Sequence, residues 1–156
     1  MSLQELYRQV ILDHYRNPRH RAPLSDPDVS SEGANPLCGD EVKVDLHLRD
    51  DRISGIAVTG KGCSISQSSA SLMSEAVSGN AVPEALSLSK RFQELMHVPA
   101  DSSENGFSDL GDLLALAGVR RYPVRIKCAT LSWVTLEQAL GNRACLGPAP
   151  PRTPDR

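Results

Sequence analysis

Aromatic residues make up only 4% of this 156-residue chain, and its charges nearly cancel, with 17 Lys and Arg against 19 Asp and Glu. A formal net charge of -2 supplies no basic field for a nucleic-acid backbone, and so few rings leave little surface on which bases could stack. Nucleic acid is therefore not an expected partner. The opening residues Met1-Ser2-Leu3-Gln4-Glu5-Leu6 have neither the basic start nor the apolar stretch of an export signal, and no later run is apolar for long enough to cross a bilayer. A soluble, cytoplasmic protein with no membrane partner is expected. Two further absences matter. There is no Cys-x-x-Cys pair of the kind that builds zinc knuckles, and Gly60-Lys61-Gly62 lacks the spacing and the following Lys-Ser/Thr of a phosphate loop.

A hydrophobic content of 40% over this length suffices for one core, so residues 1–146 are expected to form a single domain. Residues 147–156, Gly-Pro-Ala-Pro-Pro-Arg-Thr-Pro-Asp-Arg, read as a disordered tail. Leu3, Leu6, Tyr7, Val10, Ile11 and His14 recur at helical spacing up to Asn17-Pro18, with His14 and Tyr15 packing or facing solvent. Residues 18–34, rich in Pro, Ser, Asp and Gly, read as a connecting loop with an extended piece near Asn35. From Glu41 the pattern alternates, Val42, Val44, Leu46 and Leu48 against Lys43, Asp45, His47 and Arg49. Asp50-Asp51 turns the chain into a second strand, Ile53 to Thr59, with Ile56 and Val58 in phase. Helices are expected over 66–78, ended by Gly79-Asn80, over 83–97, over 109–117 closed by Gly118, and from Pro123 onward, with a polar loop over 99–106.

Three cysteines stand far apart, in Asn35-Pro36-Leu37-Cys38-Gly39-Asp40, in Gly60-Lys61-Gly62-Cys63-Ser64-Ile65-Ser66 and in Arg125-Ile126-Lys127-Cys128-Ala129. Each falls at a turn or where a helical pattern begins, a setting in which backbone N–H groups lower a thiol's pKa. The hairpin puts Cys38 and Cys63 near the same end, so with Cys128 and Asp40 they form one candidate metal or sulfur site. Three thiolates and a carboxylate suit tetrahedral zinc and also suit iron. In the reducing compartment expected here, thiol or metal chemistry takes precedence over disulfides. Cys145, just before the Pro-rich tail, is expected to have no role. Two blander alternatives stay open: a purely structural zinc site, and a cysteine hydrolase pairing Cys38 or Cys63 with one of His14, His20, His47 or His97.

Taken with Tyr15-Arg16-Asn17-Pro18-Arg19 and the run to Trp133, these three motifs resemble the IscU/NifU N-terminal family in its SufU branch, over roughly residues 3 to 141. The resemblance implies an α+β fold, a small antiparallel sheet with helices packed on it, and a part in iron-sulfur cluster biogenesis. Two departures from the cluster-scaffold type bear on the role. Lys127 stands where the scaffolds have a histidine, and an ammonium group has no lone pair to donate at pH 7. Residues around 81 to 106 look like the insertion typical of SufU. The resemblance thus implies a zinc-dependent sulfurtransferase in which Cys38, Asp40, Cys63 and Cys128 bind Zn²⁺. Cys38 would accept persulfide sulfur from a SufS-type cysteine desulfurase, whose docking frees it from the metal, and would relay that sulfur toward downstream scaffold proteins. Arg125 would offset the site's negative charge and steady Asp40. The alternatives are a scaffold assembling a [2Fe-2S] cluster on the same ligands and a zinc-stabilised adaptor with no sulfur chemistry.

Overall fold

The structure, a computed structural model, describes residues 3–102 and 105–145. The tail at 147–156 lies outside the described residues. The architecture is α+β: a three-stranded antiparallel sheet of β1 (Val29–Asn35), β2 (Asp40–Arg49) and β3 (Arg52–Lys61), in that order, with helices packed on it. The helices are α1 (Leu3–Arg16), α2 (Ser64–Val77), α3 (Val82–His97) and α4 (Pro123–Cys145), with 3₁₀ turns over Asn105–Arg121. No helix among the described residues is long and apolar enough to cross a membrane.

The β2–β3 hairpin follows its alternation. Val42, Val44 and Leu46 are buried, and Asp50 and Asp51, at φ +52° and +59°, form the two-residue turn whose twist matches that of the strands. The register slips between His47↔Gly55 and Leu48↔Ile53, leaving Ser54 unopposed. That bulge lets Ile53 share the core with Ile56 and Val58, although the three do not sit at a two-residue spacing.

The expected loop over 18–34 is in part a strand. β1 pairs with β2 from Val29↔Leu46 to Asn35↔Asp40. Its sequence, Val-Ser-Ser-Glu-Gly-Ala-Asn, shows no alternation because α4 rather than apolar side chains covers it. A Cβ on Gly33 would stand 2.3 Å from Thr135 Oγ1, so glycine is what lets the helix approach. The preceding residues wrap the sheet: His20 O accepts from Val58 N at 2.9 Å, and Asp28 Oδ2 accepts from Leu48 N at 2.7 Å. Asp45, expected on the solvent side, is consequently buried and accepts a hydrogen bond from Ser30 Oγ.

α2 is lined with small polar residues, and Ser66, Ser68, Ser69, Ser71 and Ser74 are all buried. Short side chains let α1 and α4 lie close, and two of the hydroxyls find partners there: Ser69 Oγ donates to Ala129 O of α4, and Ser71 Oγ lies 2.7 Å from His14 Nδ1 of α1, while Ser66, Ser68 and Ser74 donate to carbonyls within a turn of themselves. α3 packs on α4 through stacked Phe92 and Trp133, whose centroids are 5.0 Å apart, both fully buried. The helix expected over 109–117 is instead a run of 3₁₀ turns, interrupted at Phe107 and at Gly111 (φ +58°). Leu110, Leu113, Leu116 and Val119 recur every three residues and are all buried, the period of a 3₁₀ and not of an α-helix.

His14 is 3% exposed, and burial, aided by the Arg19 guanidinium, holds its pKa below the ordinary 6.5 against the opposing pull of Glu75, Asp13 and Asp112. Between the folded and unfolded values the unfolded chain binds the extra proton, so stability is full above about pH 6.5 and falls as pH drops through the folded value. The melting temperature should therefore decrease on acidification below that point. A His14→Gln variant, which keeps a polar contact to Ser71, should show a flatter profile; equal slopes in variant and wild type would assign the acid sensitivity elsewhere.

Candidate metal centre

The site forms where the two hairpins of the sheet end together. Asn35 and Asp40 are the last register pair of β1 and β2, and Pro36–Gly39 closes the loop between them, with Cys38 N donating to Asn35 O at 3.2 Å and Gly39 at φ +70°. Cys38 rides half-buried on that loop. Asp40, 1% exposed, accepts from Cys63 N at 3.0 Å through Oδ1, whereas its buried Oδ2 has no hydrogen-bond partner.

Gly60 and Gly62 make this meeting sterically possible. A Cβ on Gly60 would stand 2.0 Å from Glu41 O, and one on Gly62 would stand 2.4 Å from Asp40 Oδ1 and 2.5 Å from Ser66 Oγ. Cys63 then caps α2 in extended conformation, φ -72° and ψ 170°, at the end of the helix where N–H groups are free. Cys128 differs from the expectation that each cysteine sits at a turn or helix start. It is the sixth residue of α4, beyond the free N–H groups, and fully buried.

Cys38, Asp40 and Cys128 are brought together: their ligand atoms all lie within 4.8 Å of one another, and the two sulfurs are 3.4 Å apart. Cys63 stands beside this group of three, joined to it by its N–H on Asp40, and its thiol reaches Cys128. Burial pushes the Cys128 thiol far above the ordinary range, and Asp40, Cys38 and Cys63 push it further. Arg125, one turn before Cys128 on α4, has its pKa raised by a hydrogen bond to Cys128 and by the charges of Cys63, Cys128 and Cys38. Its guanidinium thus stands beside the sulfurs, and Asp40 also accepts the Cys63 N–H. Lys127 is exposed.

Neither imidazole with a resolved side-chain hydrogen bond serves a cysteine. His14 is bound to Ser71 and His47 to Ser25 O, and the converging group contains no histidine, which argues against a cysteine hydrolase. The side chain of Cys145 lies outside the described residues. Sequence reasoning missed Asn35 as part of the site. It is 6% exposed and donates from Nδ2 to Cys128 Sγ at 3.6 Å, and the hint for it was only its place at the head of the Asn-Pro-Leu-Cys motif.

The residues fit a metal ion. A buried carboxylate oxygen without a partner costs about 1–3 kcal/mol or more, and two sulfurs within 4.8 Å of the carboxylate add repulsion once ionised; a cation among them relieves both. Soft sulfur with one hard oxygen is a donor set for a borderline cation such as zinc, and for iron.

Comparison with known proteins places the chain in a family. The profile of the NifU-like N terminal domain matches residues 6–129. The zinc-dependent sulfurtransferase SufU of Bacillus subtilis is 45% identical, the alignment covering 90% of this chain and 93% of that protein. The iron-sulfur cluster assembly scaffold protein IscU of Streptococcus pyogenes is 37% identical over 92% of this chain and 87% of its own. A crystal structure of a candidate iron-sulfur cluster assembly scaffold protein for the SUF system from Fervidobacterium islandicum superposes with a TM-score of 0.77, at 32% identity, over 89% of this chain and 99% of that one. With three spaced cysteines on one small sheet and matches along nearly its full length, the chain belongs to the NifU-like N-terminal domain family, as a member of its SufU type.

Proposed function

We propose that this protein is a zinc-dependent sulfur carrier of iron-sulfur cluster biogenesis, acting in the cytoplasm, with Cys38, Asp40, Cys63 and Cys128 as the zinc ligands. The observation that carries the reading is the convergence of Cys38 and Cys128 on a buried Asp40 whose Oδ2 has no other partner. The 45% identity to a protein named as a zinc-dependent sulfurtransferase supports it. Lys127 supports zinc over a resident cluster, since an exposed ammonium supplies no lone pair to a metal. Bound zinc would keep the ligand thiols deprotonated at neutral pH.

The chain's own residues divide the work. Cys128 is buried within a helix and Cys63 caps one, so both are held by their backbones, whereas Cys38 lies on a short loop. Cys38 is the acceptor: its thiolate attacks the outer sulfur of a persulfide on a SufS-type cysteine desulfurase, a new S–S bond forms on Cys38, and the desulfurase cysteine leaves as thiolate. Arg125 offsets the charge of the three sulfurs and lowers the barrier to a second anion approaching them. Downstream scaffold proteins then receive the sulfur. The names of the IscU relatives favour a second reading, a scaffold holding a [2Fe-2S] cluster, and metal content separates the two.

Protein purified without added metal should carry about one zinc per chain and little iron, measured by elemental analysis. A brown protein with stoichiometric iron and sulfide after anaerobic isolation would establish the scaffold instead. Complete removal of the metal with a chelator should lower the melting temperature, because metal bound only by the folded chain adds its binding free energy to folding. An unchanged melting curve in verified metal-free protein would make the site peripheral to the fold. A cysteine desulfurase of the matching system should turn over faster with the wild-type protein, followed as alanine release, and mass spectrometry should find the trapped persulfide on Cys38. Cys38→Ser should abolish the acceleration; undiminished acceleration, or persulfide only on Cys63 or Cys128, would reassign the acceptor.

A further inference from the structure

Among the sulfurs of the site, Cys128 has the hardest environment for a thiolate. It is fully buried, it sits in the interior of α4 where its backbone N–H belongs to the helix, and a carboxylate and two other thiols face it. A buried anion needs donors, and those have to come from side chains. Arg125 provides one from the exposed side of the same helix. The other comes from across the site: Asn35 Nδ2, 3.6 Å from Cys128 Sγ.

Asn35 is well placed to hold that geometry. It is 6% exposed, it ends β1, and its backbone is fixed twice, by the register pair with Asp40 and by the hydrogen bond its carbonyl accepts from Cys38 N. One residue thus braces the loop that carries Cys38, while its side chain reaches past that loop to Cys128. We propose that Asn35 is a positioning residue whose amide N–H holds the Cys128 sulfur as the permanent anchor of the metal, so that Cys38 and not Cys128 is the sulfur released for transfer. This rests on the zinc-carrier reading above. An N–H donor lowers the energy of a sulfur lone pair and stabilises a thiolate already bound to a cation, and side chains of this supporting kind typically change metal affinity about 10- to 100-fold when removed. Cys38, half-buried on its loop, receives no such side-chain donor among the described hydrogen bonds apart from the Cys128 thiol itself.

The test uses the full chain with Asn35→Ala, which removes the amide, and Asn35→Asp, which keeps its shape but replaces the donor by a carboxylate oxygen. Zinc affinity is read by competition with a chromophoric chelator, sulfur bonding by the thiolate-to-cobalt charge-transfer band of Co²⁺-loaded protein, and thiol release by the ratio of Cys38 to Cys128 alkylation in zinc-loaded protein. Expected are zinc binding weaker by about tenfold or more, a charge-transfer band at longer wavelength, and a Cys38 to Cys128 ratio that falls from a strong preference for Cys38 in wild type. Folded variants with wild-type zinc affinity, band position and alkylation ratio would overturn the proposal while leaving the carrier reading intact. Loss of folding in both variants would also overturn it, assigning Asn35 to the hairpin and not to the sulfur. Wild-type protein that binds no zinc would remove the carrier reading and this inference with it.

Discussion

Asp40 is buried at the first position of β2, and its carboxylate can be there because the chain leaving β3 comes close enough to offer it the Cys63 N–H at 3.0 Å. That approach is possible only without side chains at Gly60 and Gly62, where a Cβ would stand 2.0 Å from a backbone carbonyl and 2.4 Å from the carboxylate itself. Most of the site depends on this contact. It sets the start of α2, since Cys63 is the residue that caps the helix, and it holds the carboxylate beside Cys38 and Cys128 with its Oδ2 buried and without a hydrogen-bond partner. An unsatisfied buried oxygen is a cost to the folded chain that a bound cation converts into affinity.

The helices supply the remaining side of the site through close packing rather than through bulk. α2 brings a face of buried serines against α1 and α4, and the Ser69 hydroxyl binds the carbonyl of Ala129, the residue after Cys128. α4 lies on β1 at Gly33, within reach of the loop that carries Cys38. Behind it, Phe92 stacked on Trp133 fastens α3 to the same helix. Contacts with α2, β1 and α3 thus fix the backbone of α4 that carries Cys128, and its sulfur is met there by Asn35 and Cys38.

Electrostatically the candidate site holds its innermost sulfur as a neutral thiol. Burial strongly disfavours the Cys128 thiolate, Asp40, Cys38 and Cys63 add to that, and Arg125 faces the sulfurs from the exposed side of α4. A cation placed among these groups would reverse that preference, because it stabilises the thiolate over the thiol.

The sequence by itself determined the local structure around the candidate site. Alternation through Val42, Val44 and Leu46 specified β2, Asp50-Asp51 specified its turn, and the turn and helix-start signals around Cys38 and Cys63 placed two of the four candidate ligands at one end of a hairpin, because these features depend on neighbours within a few residues. Only the tertiary structure decided the rest. β1 has no pattern of its own, since Gly33 and its polar neighbours are covered by a helix roughly a hundred residues away, and Asp45 and His14 are buried by segments that no local signal connects to them. The same holds for the inner part of the candidate metal centre. Cys128 meets Cys38 and Asp40, and Asn35 meets Cys128, across ninety or so residues of chain, and such meetings are set by the packing of α4 on the sheet, which is a property of the whole core and not of any motif.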